Sequence, residues 1–356
     1  MYPALAVLQA IEDKVDEILW VGGVGGMEFE LINRLSIPFS SIPAAGIHGV
    51  GLISLPANLW KLLQGLFASQ KLLKQFNPNV ILFTGGYVAV PMAIAAHKFP
   101  SVLYVPDIEP GLALKFISNF ASIIAITSQK SFEFFQNIKK CIVTGYPTRK
   151  DLIPSQKETA IQKFHFSNDK PVVFFFGGSK GARSINRAVL RFLPQLLLKA
   201  QVIHMTGKLD WNEVQENSKK LDPQLLENYR IFPYLHEEMS DAYSAADLVI
   251  SRAGASTLGE FPLFGVPAIL IPYPYAWRYQ KVNAQYLVDQ NAALIVNDEN
   301  LEKELYVLIE TLLSDSQKLS EMKNAMKKLR TPNAANKIGD QILSLYPARK
   351  SKRGIL

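Results

Sequence analysis

The chain has 356 residues and a formal net charge of +7, and its residues are 48% hydrophobic and 19% charged. This balance excludes long disordered regions, and the length predicts two domains with separate cores. The single cysteine, Cys141, excludes an internal disulfide framework and a cysteine-based metal cluster, and it fits a reducing compartment.

The positive charge, with a pI near 9.2, favours an anionic partner. No zinc-finger spacing and no RNA-binding strand accompany it, so we expect a phosphate-bearing ligand or an anionic membrane surface rather than nucleic acid. No apolar run reaches about 18 residues without a charge or a breaker, and no signal-peptide pattern is found. We therefore expect a peripheral protein at the cytoplasmic face of the cell membrane.

In the first half, apolar runs of strand length alternate with helical patterns, beginning with a helix that carries Leu5, Val7, Leu8 and Ile11. Strands are predicted at 17–21, 80–83, 102–105, 123–126 and 141–144. Such alternation indicates βαβ units and a parallel sheet.

The segment 47–76 has an apolar stripe at helical spacing with lysines beside it. One interpretation is an amphipathic helix lying in a bilayer interface through Leu59, Trp60, Leu63 and Phe67. The other is an ordinary helix whose stripe packs on the sheet. Both can hold for different parts of the stripe.

The second half repeats the pattern, with strands predicted at 171–176, 202–205, 229–232, 248–251, 268–271 and 293–296 and three helices between 301 and 345. We predict an acceptor-side and membrane-side domain at 1–153, a linker at 154–170, a ligand-binding domain at 171–330, and a C-terminal helix with a basic tail at 331–356. The fold class is α/β, with two doubly wound, Rossmann-like domains facing a cleft. Ligands of open parallel sheets bind at the carboxyl ends of the strands, so we expect the substrate there.

Two turns after strands carry the chemistry. GGSKGARSIN at 177–186 is a glycine-rich turn that opens a helix, and VISRAGASTLGE at 249–260 leads from a strand into another helix. A helix N-terminus has backbone N–H groups without partners and a partial positive charge, which suit a phosphate. Neither turn is a Walker loop or a GxGxxG fingerprint. The alternative is ordinary turn chemistry, with Ser256 capping the second helix.

Further segments, taken in order with these two, identify a family. They are GGYVAVP at 85–91, GYPTR at 145–149, HMTGK at 204–208 and YPYAWRYQKVNAQ at 273–285. Over nearly its whole length the chain resembles the MurG-type glycosyltransferases. The resemblance implies the GT-B architecture and transfer of N-acetylglucosamine from UDP-N-acetylglucosamine to a lipid-linked muramyl-pentapeptide in peptidoglycan synthesis, with no cofactor.

The resemblance also implies roles for individual residues. The donor-binding residues it implies are Ser179, Ala255, Ser256 and Thr257 at the diphosphate, Arg149 offsetting its charge, Glu260 at the ribose, Gln280 at the sugar, and Asn186. Asn283 also matches a family position, and each asparagine could instead be a polar residue of a helix start. Gly85, Gly86 and Tyr87 are implied for the acceptor side of the cleft.

The implied reaction is a single inverting displacement at the anomeric carbon, with a sugar 4-hydroxyl as nucleophile and UDP as leaving group. The helix N-terminus and Arg149 can stabilise the departing diphosphate, so no metal is expected. The five scattered histidines agree with that expectation.

The sequence departs from the family in two places. The family begins with a strand and a GGTGGH loop, whose histidine is its favoured general base, and neither is in the sequence given. We expect a truncated gene rather than a lost loop, because losing that strand would expose the sheet that contains Val21 and Phe83. The second departure is YVPDIEPG at 104–111, in place of the family's His-Glu-Gln-Asn loop. Asp107 and Glu109 are our candidates for acceptor activation, and plain turn chemistry is the alternative.

Two other functions stay open on the sequence. One is a different GT-B enzyme, such as another glycosyltransferase or a UDP-sugar epimerase. The other is a catalytically silent protein that binds a sugar nucleotide.

Overall fold

A computed structural model of the chain describes residues 1–26, 28–46, 55–178, 181–275 and 278–346. It divides into two compact units, and both are α/β. The first unit comprises 1–106, 110–147 and the chain from 333 onward, and the second comprises 107–109 and 148–332.

The first unit contains two parallel sheets flanked by helices. Up to residue 147 its elements are α1 (Tyr2–Ile11), β1 (Trp20–Gly23), α2 (Glu28–Arg34), β2 (Phe39–Ile42), α3 (Leu55–Phe76), β3 (Ile81–Phe83), α4 (Ala89–Ala95), β4 (Ser101–Val105), α5 (Leu112–Ser118), β5 (Ile123–Ile126) and β6 (Cys141–Val143). β1 pairs with β2, and β3 to β6 form a separate sheet in sequence order. The predicted strands are confirmed, although β1 lies further along the chain than the predicted span 17–21, and β2 was not predicted.

The second unit is built on one six-stranded parallel sheet. Its elements are α6 (Lys157–Lys163), β7 (Val172–Phe176), α7 (Arg183–Lys199), β8 (Gln201–Met205), α8 (Trp211–Ser218), α9 (Pro223–Leu226), β9 (Tyr229–Phe232), α10 (Met239–Ala245), β10 (Leu248–Ser251), α11 (Thr257–Phe264), β11 (Ala268–Leu270), α12 (Tyr279–Asp289), β12 (Ala293–Ile295), α13 (Leu301–Ser314) and α14 (Ser316–Lys328). The strand order is β12-β11-β10-β7-β8-β9, with all neighbours parallel. The doubly wound prediction for this half is therefore confirmed.

Two segments that we set apart from the domains are packed into them. Residues 154–170, predicted as a linker, contain α6, whose Ala160 and Ile161 are buried and which packs against α10. The last described helix, α15 (Ala334–Leu345), packs on α1 in the first unit. Both segments order because each buries an apolar side that would otherwise face water. The basic tail from Ala348 lies outside the described residues.

A cavity of about 470 Å³ lies within the first unit, between its two sheets. It is lined by Val21 and Gly22 of β1 and by Leu82 and Phe83 of β3, and Leu8 and Met92 contribute from the helices. Val21 and Phe83, which the sequence places in one sheet, thus lie on strands that do not pair with each other.

Among the residues that the structure describes, no strand pairs with β1 or β3 on the side that faces the cavity. Trp20 N–H donates to Pro38 across the β1–β2 ladder, and Ile81 N–H donates to Pro100 across the β3–β4 ladder. Because successive N–H groups of a strand alternate in direction, those of Val21 and Leu82 point toward the cavity.

We therefore expect the amide hydrogens of Val21 and Leu82 to exchange with solvent about fivefold or more faster than those of Val249 and Ile250, since a ladder hydrogen bond contributes about 1 kcal/mol. The two reference residues lie in β10, which pairs on both sides. Hydrogen exchange measured residue by residue would check this. Equal protection at the four positions would contradict the unpaired edges.

A buried polar network fixes the middle of the second unit. His204 of β8 is fully buried, and its Nδ1 lies 2.8 Å from the Tyr229 hydroxyl and its Nε2 lies 3.0 Å from Asn186 Oδ1. Since Asn186 Oδ1 can only accept, Nε2 donates and Nδ1 accepts from Tyr229. Asn186 Nδ2 donates to the Thr206 carbonyl and to Asp210. Burial lowers the pKa of His204 from 6.5 to about 3, so the imidazole stays neutral in the fold.

This neutral histidine predicts a loss of stability in acid. Between pH 6.5 and about 3 the unfolded chain binds a proton at His204 that the folded chain does not, so His204 lowers the free energy of unfolding by about 1.4 kcal/mol for each pH unit that the pH falls. Urea unfolding measured from pH 7 to pH 4.5 should show that the free energy of unfolding falls less steeply with decreasing pH in His204→Gln than in the parent. His97→Gln, which alters an exposed histidine, serves as control, and identical slopes in all three proteins would refute the assignment.

Candidate functional site

The six-stranded sheet of the second unit has a topological switch point at β7. The chain runs from β7 to β8 on one side, whereas β10 pairs on the other side, with Phe176 opposite Ser251 near the carboxyl ends. The connections that leave these two ends diverge and open a crevice, which is where ligands bind in such sheets. Both turns singled out in the sequence lie at this point.

The glycine turn after β7 depends on residues without side chains. Gly178 and Gly181 have φ values of +88° and +82°, and a Cβ on Gly177 would lie 2.2 Å from the Ala182 nitrogen. Only glycine fits such a backbone without strain. The turn delivers the chain to the N-terminus of α7. Ser179 lies outside the described residues.

The turn after β10 presents open hydrogen-bond donors. Thr257 closes it, because its N–H and its hydroxyl both donate to the Gly254 carbonyl, at 3.0 and 2.8 Å. Ser256 occupies the N-cap position of α11 without a side-chain capping bond, so the capping interpretation is wrong. Within the described part of the chain, the N–H groups of Ala255 and Ser256 and the Ser256 hydroxyl have no hydrogen-bond partner. These three donors can hold an anion at the start of α11.

Glu260 lies one turn into α11 with its carboxylate partly buried. Tyr243 of α10 donates its hydroxyl to Glu260 Oε2 at 2.8 Å. Burial raises the pKa of Glu260, and the Tyr243 hydrogen bond and the positive charge of Arg149 oppose that rise. Arg149 also lies 3.5 Å from Asp151, so a cation and two carboxylates occupy this part of the unit.

Arg252 ties the two turns together. Its guanidinium forms an ion pair with Asp298, donates to Ser184 Oγ of α7 at 2.7 Å and lies over the ring of Tyr273. Ser184 in turn donates to Asp298 at 2.8 Å. The start of α7 is therefore held to the turn that starts α11, which fixes the spacing of the two helix N-termini.

The tripeptide 107–109 is held within the second unit by two side chains of the α12 region. Asn283 is fully buried, accepts from Ile108 N–H at 3.0 Å, and donates to Asp107 Oδ1 at 2.8 Å and to the Ala253 carbonyl at 3.2 Å. Arg278 makes a two-pronged ion pair with Glu109, with both N–O distances at 2.6 Å. Burial raises the pKa of Asp107, and the Asn283 hydrogen bond opposes the rise.

The two remaining donor-side candidates differ in exposure. Gln280 accepts from Tyr273 N–H at 2.9 Å, near the surface at the start of α12. Asn186 is 1% exposed, and both its amide hydrogens and its carbonyl oxygen serve the His204 network. The structure thus gives Asn186 a supporting role under the glycine turn, and its contact with a donor stays a prediction.

In the first unit, Gly85 and Gly86 follow β3 with φ values of +103° and +84°, and the next residue, Tyr87, is 53% exposed. This places the three acceptor-side candidates at the carboxyl end of a parallel strand, where a binding loop is expected.

The α3 helix presents an apolar face to solvent. Leu59, Trp60, Leu63 and Phe67 are between 42% and 68% exposed, whereas Ser69 and Leu73 of the same helix are buried. The interpretation that the stripe packs on the sheet is therefore wrong for these four side chains. Among the helices that the structure describes, none combines the length and hydropathy that crossing a bilayer requires.

Three residues of this site were missed in the sequence: Tyr243, Arg252 and Arg278. Arg252 stands inside the VISRAGASTLGE motif, so its position was a usable signal. Tyr243 and Arg278 have partners 17 and 169 residues away, and no local pattern marks them. In the part of the chain that the structure describes, no group of three His, Cys, Asp or Glu side chains is placed to hold a metal ion.

Comparison with known proteins agrees with the geometry. The glycosyltransferase family 28 N-terminal domain matches residues 1–126, and the family 28 C-terminal domain matches residues 172–338. The UDP-N-acetylglucosamine–N-acetylmuramyl-(pentapeptide) pyrophosphoryl-undecaprenol N-acetylglucosamine transferase of Caldanaerobacter subterraneus subsp. tengcongensis is 37% identical over 344 residues, which are 95% of this chain and 94% of that protein. The protein of the same name from Desulforamulus reducens is 32% identical over 360 residues, 98% of this chain and 96% of that protein.

Among solved structures, the crystal structure of Acinetobacter baumannii MurG matches with a TM-score of 0.77 at 26% identity, covering 96% of this chain and 95% of that one. The relatives that are 32% and 37% identical over nearly the full length establish membership of the family. The chain therefore belongs to glycosyltransferase family 28, among its MurG-type members with the GT-B fold.

Proposed function

We propose that the protein is an inverting glycosyltransferase that moves N-acetylglucosamine from UDP-N-acetylglucosamine to a lipid-linked muramyl-peptide acceptor in peptidoglycan synthesis. The observation that carries the proposal is the pair of helix N-termini at the β7–β10 switch point, with open N–H donors at Ala255 and Ser256 and with Glu260 one turn behind them. The names of the relatives at 32% and 37% identity support it.

The donor is held by charge and by hydrogen bonds. The diphosphate lies at the start of α11, where the N–H groups of Ala255 and Ser256 donate to it and Thr257 keeps the turn in shape. The hydroxyl of Ser179 is a further donor for the diphosphate, and Arg149 adds a positive charge. Glu260 accepts hydrogen bonds from the ribose hydroxyls, which a carboxylate can do at both oxygens. Gln280 reads the hydroxyls of the sugar.

The reaction is one displacement. The acceptor 4-hydroxyl oxygen bonds to the anomeric carbon as the bond from that carbon to the phosphate oxygen breaks, and UDP leaves with the electron pair. Donors fixed beforehand at the start of α11 stabilise the charge that develops on the diphosphate, so the reaction needs no metal and no cofactor.

The hydroxyl proton passes to a base, for which Asp107 is the candidate. Its carboxyl has a raised pKa because it is buried, and a base of raised pKa takes up a proton more readily. Glu109 holds the loop through Arg278. Gly85, Gly86 and Tyr87 form an acceptor-side loop.

The two alternatives have less support. A UDP-sugar epimerase or another GT-B transferase would share the nucleotide-binding turns, but the relatives that match almost end to end bear the name of the transferase. A silent nucleotide-binding protein would need neither Asp107 nor an acceptor-side loop.

The donor assignment predicts the behaviour of Glu260→Ala. UDP-N-acetylglucosamine should raise the melting temperature of the parent protein, and Glu260→Ala should lower its affinity by about ten- to a hundredfold, because hydrogen bonds to a charged group contribute about 1.5–3 kcal/mol. Calorimetric titration and transfer of labelled sugar to the lipid-linked acceptor would measure both effects.

The matched control for that experiment is Glu321→Ala, which removes an exposed carboxylate of α14 in the same unit. It should bind and transfer as the parent does. The donor assignment would be refuted if the nucleotide sugar did not raise the melting temperature of the parent protein and the parent did not transfer the sugar.

We also propose that the α3 face of Leu59, Trp60, Leu63 and Phe67 docks on the anionic cytoplasmic surface of the membrane, where the lipid-linked acceptor resides. The four side chains follow at intervals that keep them on one side of the helix. Lys61, Lys71 and Lys74 of the same helix are exposed and can contact lipid headgroups.

This face predicts salt-sensitive binding to vesicles. The protein should sediment with phosphatidylglycerol vesicles at low salt and less so as salt rises, since screening shortens the reach of the lysines. Trp60→Gln combined with Phe67→Gln should lower the partition about tenfold or more, because each large side chain that leaves water contributes about 1.5–3 kcal/mol. Leu209→Gln, which alters a side chain 75% exposed in the second unit, is the control. Unchanged binding of the double variant would exclude this face.

A further inference from the structure

We infer that Tyr243 is a positioning residue that holds the Glu260 carboxylate in the orientation that accepts hydrogen bonds from both ribose hydroxyls of the donor nucleotide. The inference rests on the proposed function, because it takes Glu260 as the ribose-binding group.

Packing fixes the Tyr243 ring firmly. Tyr243 is 1% exposed, and its ring contacts those of Phe174, Phe261 and Phe264 at centroid distances of 5.6, 5.8 and 5.1 Å. A ring held on several sides keeps its hydroxyl at one point in space. That hydroxyl donates to Glu260 Oε2 at 2.8 Å. The aromatic cluster therefore orients the Glu260 carboxylate through this hydrogen bond.

This hydrogen bond leaves enough acceptor capacity for a vicinal diol. Each carboxylate oxygen can accept about two hydrogen bonds, so among the described residues Oε2 keeps one open position after binding Tyr243 and Oε1 keeps both. Without the Tyr243 hydroxyl the carboxylate could rotate about its terminal bond, and a diol would have to fix that rotation on binding. Removing the Tyr243 hydroxyl should therefore weaken the binding of the two ribose hydroxyls and leave the diphosphate contacts unchanged.

The charges around Glu260 add a dependence on pH. The groups that act on it are Tyr243 of α10 and Arg149 and Asp151 of the segment before α6. Burial raises the pKa of Glu260, Tyr243 and Arg149 oppose the rise, and Asp151 adds to it. Removing the Tyr243 hydroxyl lets the pKa rise further, so Glu260 becomes protonated, and loses acceptor capacity, at a higher pH.

Tyr243→Phe tests the inference, because it removes the hydroxyl and keeps the ring that packs. Calorimetric titration with UDP and with 2′-deoxy-UDP separates positioning from folding. We expect UDP to bind about five- to tenfold more weakly to the variant, in line with one lost hydrogen bond. The affinity for 2′-deoxy-UDP should fall only about two- to threefold, because that nucleotide keeps one of the two ribose hydroxyls and therefore about half of the free-energy loss.

The pH profile gives a second readout that a purely structural role would not move. The pH below which UDP affinity declines should be higher in Tyr243→Phe than in the parent, and the KM for UDP-N-acetylglucosamine should rise while kcat holds. Tyr306→Phe, which removes the hydroxyl of a partly buried tyrosine of α13 in the same unit, should show neither effect.

The outcomes separate the inference from the proposed function. A parent protein that prefers UDP to 2′-deoxy-UDP, together with a Tyr243→Phe variant that keeps the full preference and the same pH profile, overturns the inference alone. Equal weakening of both nucleotides in the variant also overturns it, because it indicates damage to the fold. A parent protein that does not distinguish the two nucleotides overturns the ribose assignment of Glu260 and the inference with it.

Discussion

The site depends on backbone N–H groups that have no hydrogen-bond partner in the described parts of the chain. At the start of α11 the helix turns without a side-chain cap, because the Thr257 hydroxyl is directed to Gly254 and the Ser256 hydroxyl caps nothing. Capping would add about 1 kcal/mol to the stability of such a helix. This stabilisation is absent at the switch point of the sheet, where the positive end of the helix lies at the crevice. Open donors of this kind stabilise an anion without reorganising when it arrives.

Open donors are useful only if they stay in place, and buried polar networks hold them there. Arg252 joins the start of α7 to the turn before α11 through Asp298 and Ser184. Beneath the glycine turn, Asn186 and His204 form a network in which both amide hydrogens of the asparagine donate and its carbonyl oxygen accepts. Partly satisfied networks would cost stability, whereas these restrict the turns to one arrangement. Some polar residues around the site thus face a ligand, and the others hold the ligand-facing residues in place.

Local features of the site could be predicted from the sequence, and distant pairings could not. The strand, turn and helix at 249–260 follow from an apolar run, a glycine and helix-forming residues, all within reach of local rules. β2 escaped prediction because Phe39–Ile42 has two serines and too short an apolar run, and it is a strand because it pairs with β1. The partners of Glu109 and Glu260 escaped for a related reason: a sequence pattern shows which residues can bond but not which ones the fold brings together. For α3, the stripe alone could not separate the buried Leu73 from the exposed Phe67, because both are apolar and both recur at helical spacing.

Glu260 shows why the local motif is an incomplete description of the site. A carboxylate that binds a diol must be ionised, yet it must also be shielded enough from water for its hydrogen bonds to discriminate, and shielding favours the protonated form. The motif supplies the carboxylate and the helix that carries it. The contributions that lower the pKa of Glu260 come from other elements. One is the Tyr243 hydroxyl of α10, which an aromatic cluster on β7 and α11 holds in place, and the other is the charge of Arg149 from the segment before α6. The ionisation of this one group therefore depends on the packing of the second unit, and a change in that packing can alter nucleotide binding without touching the motif.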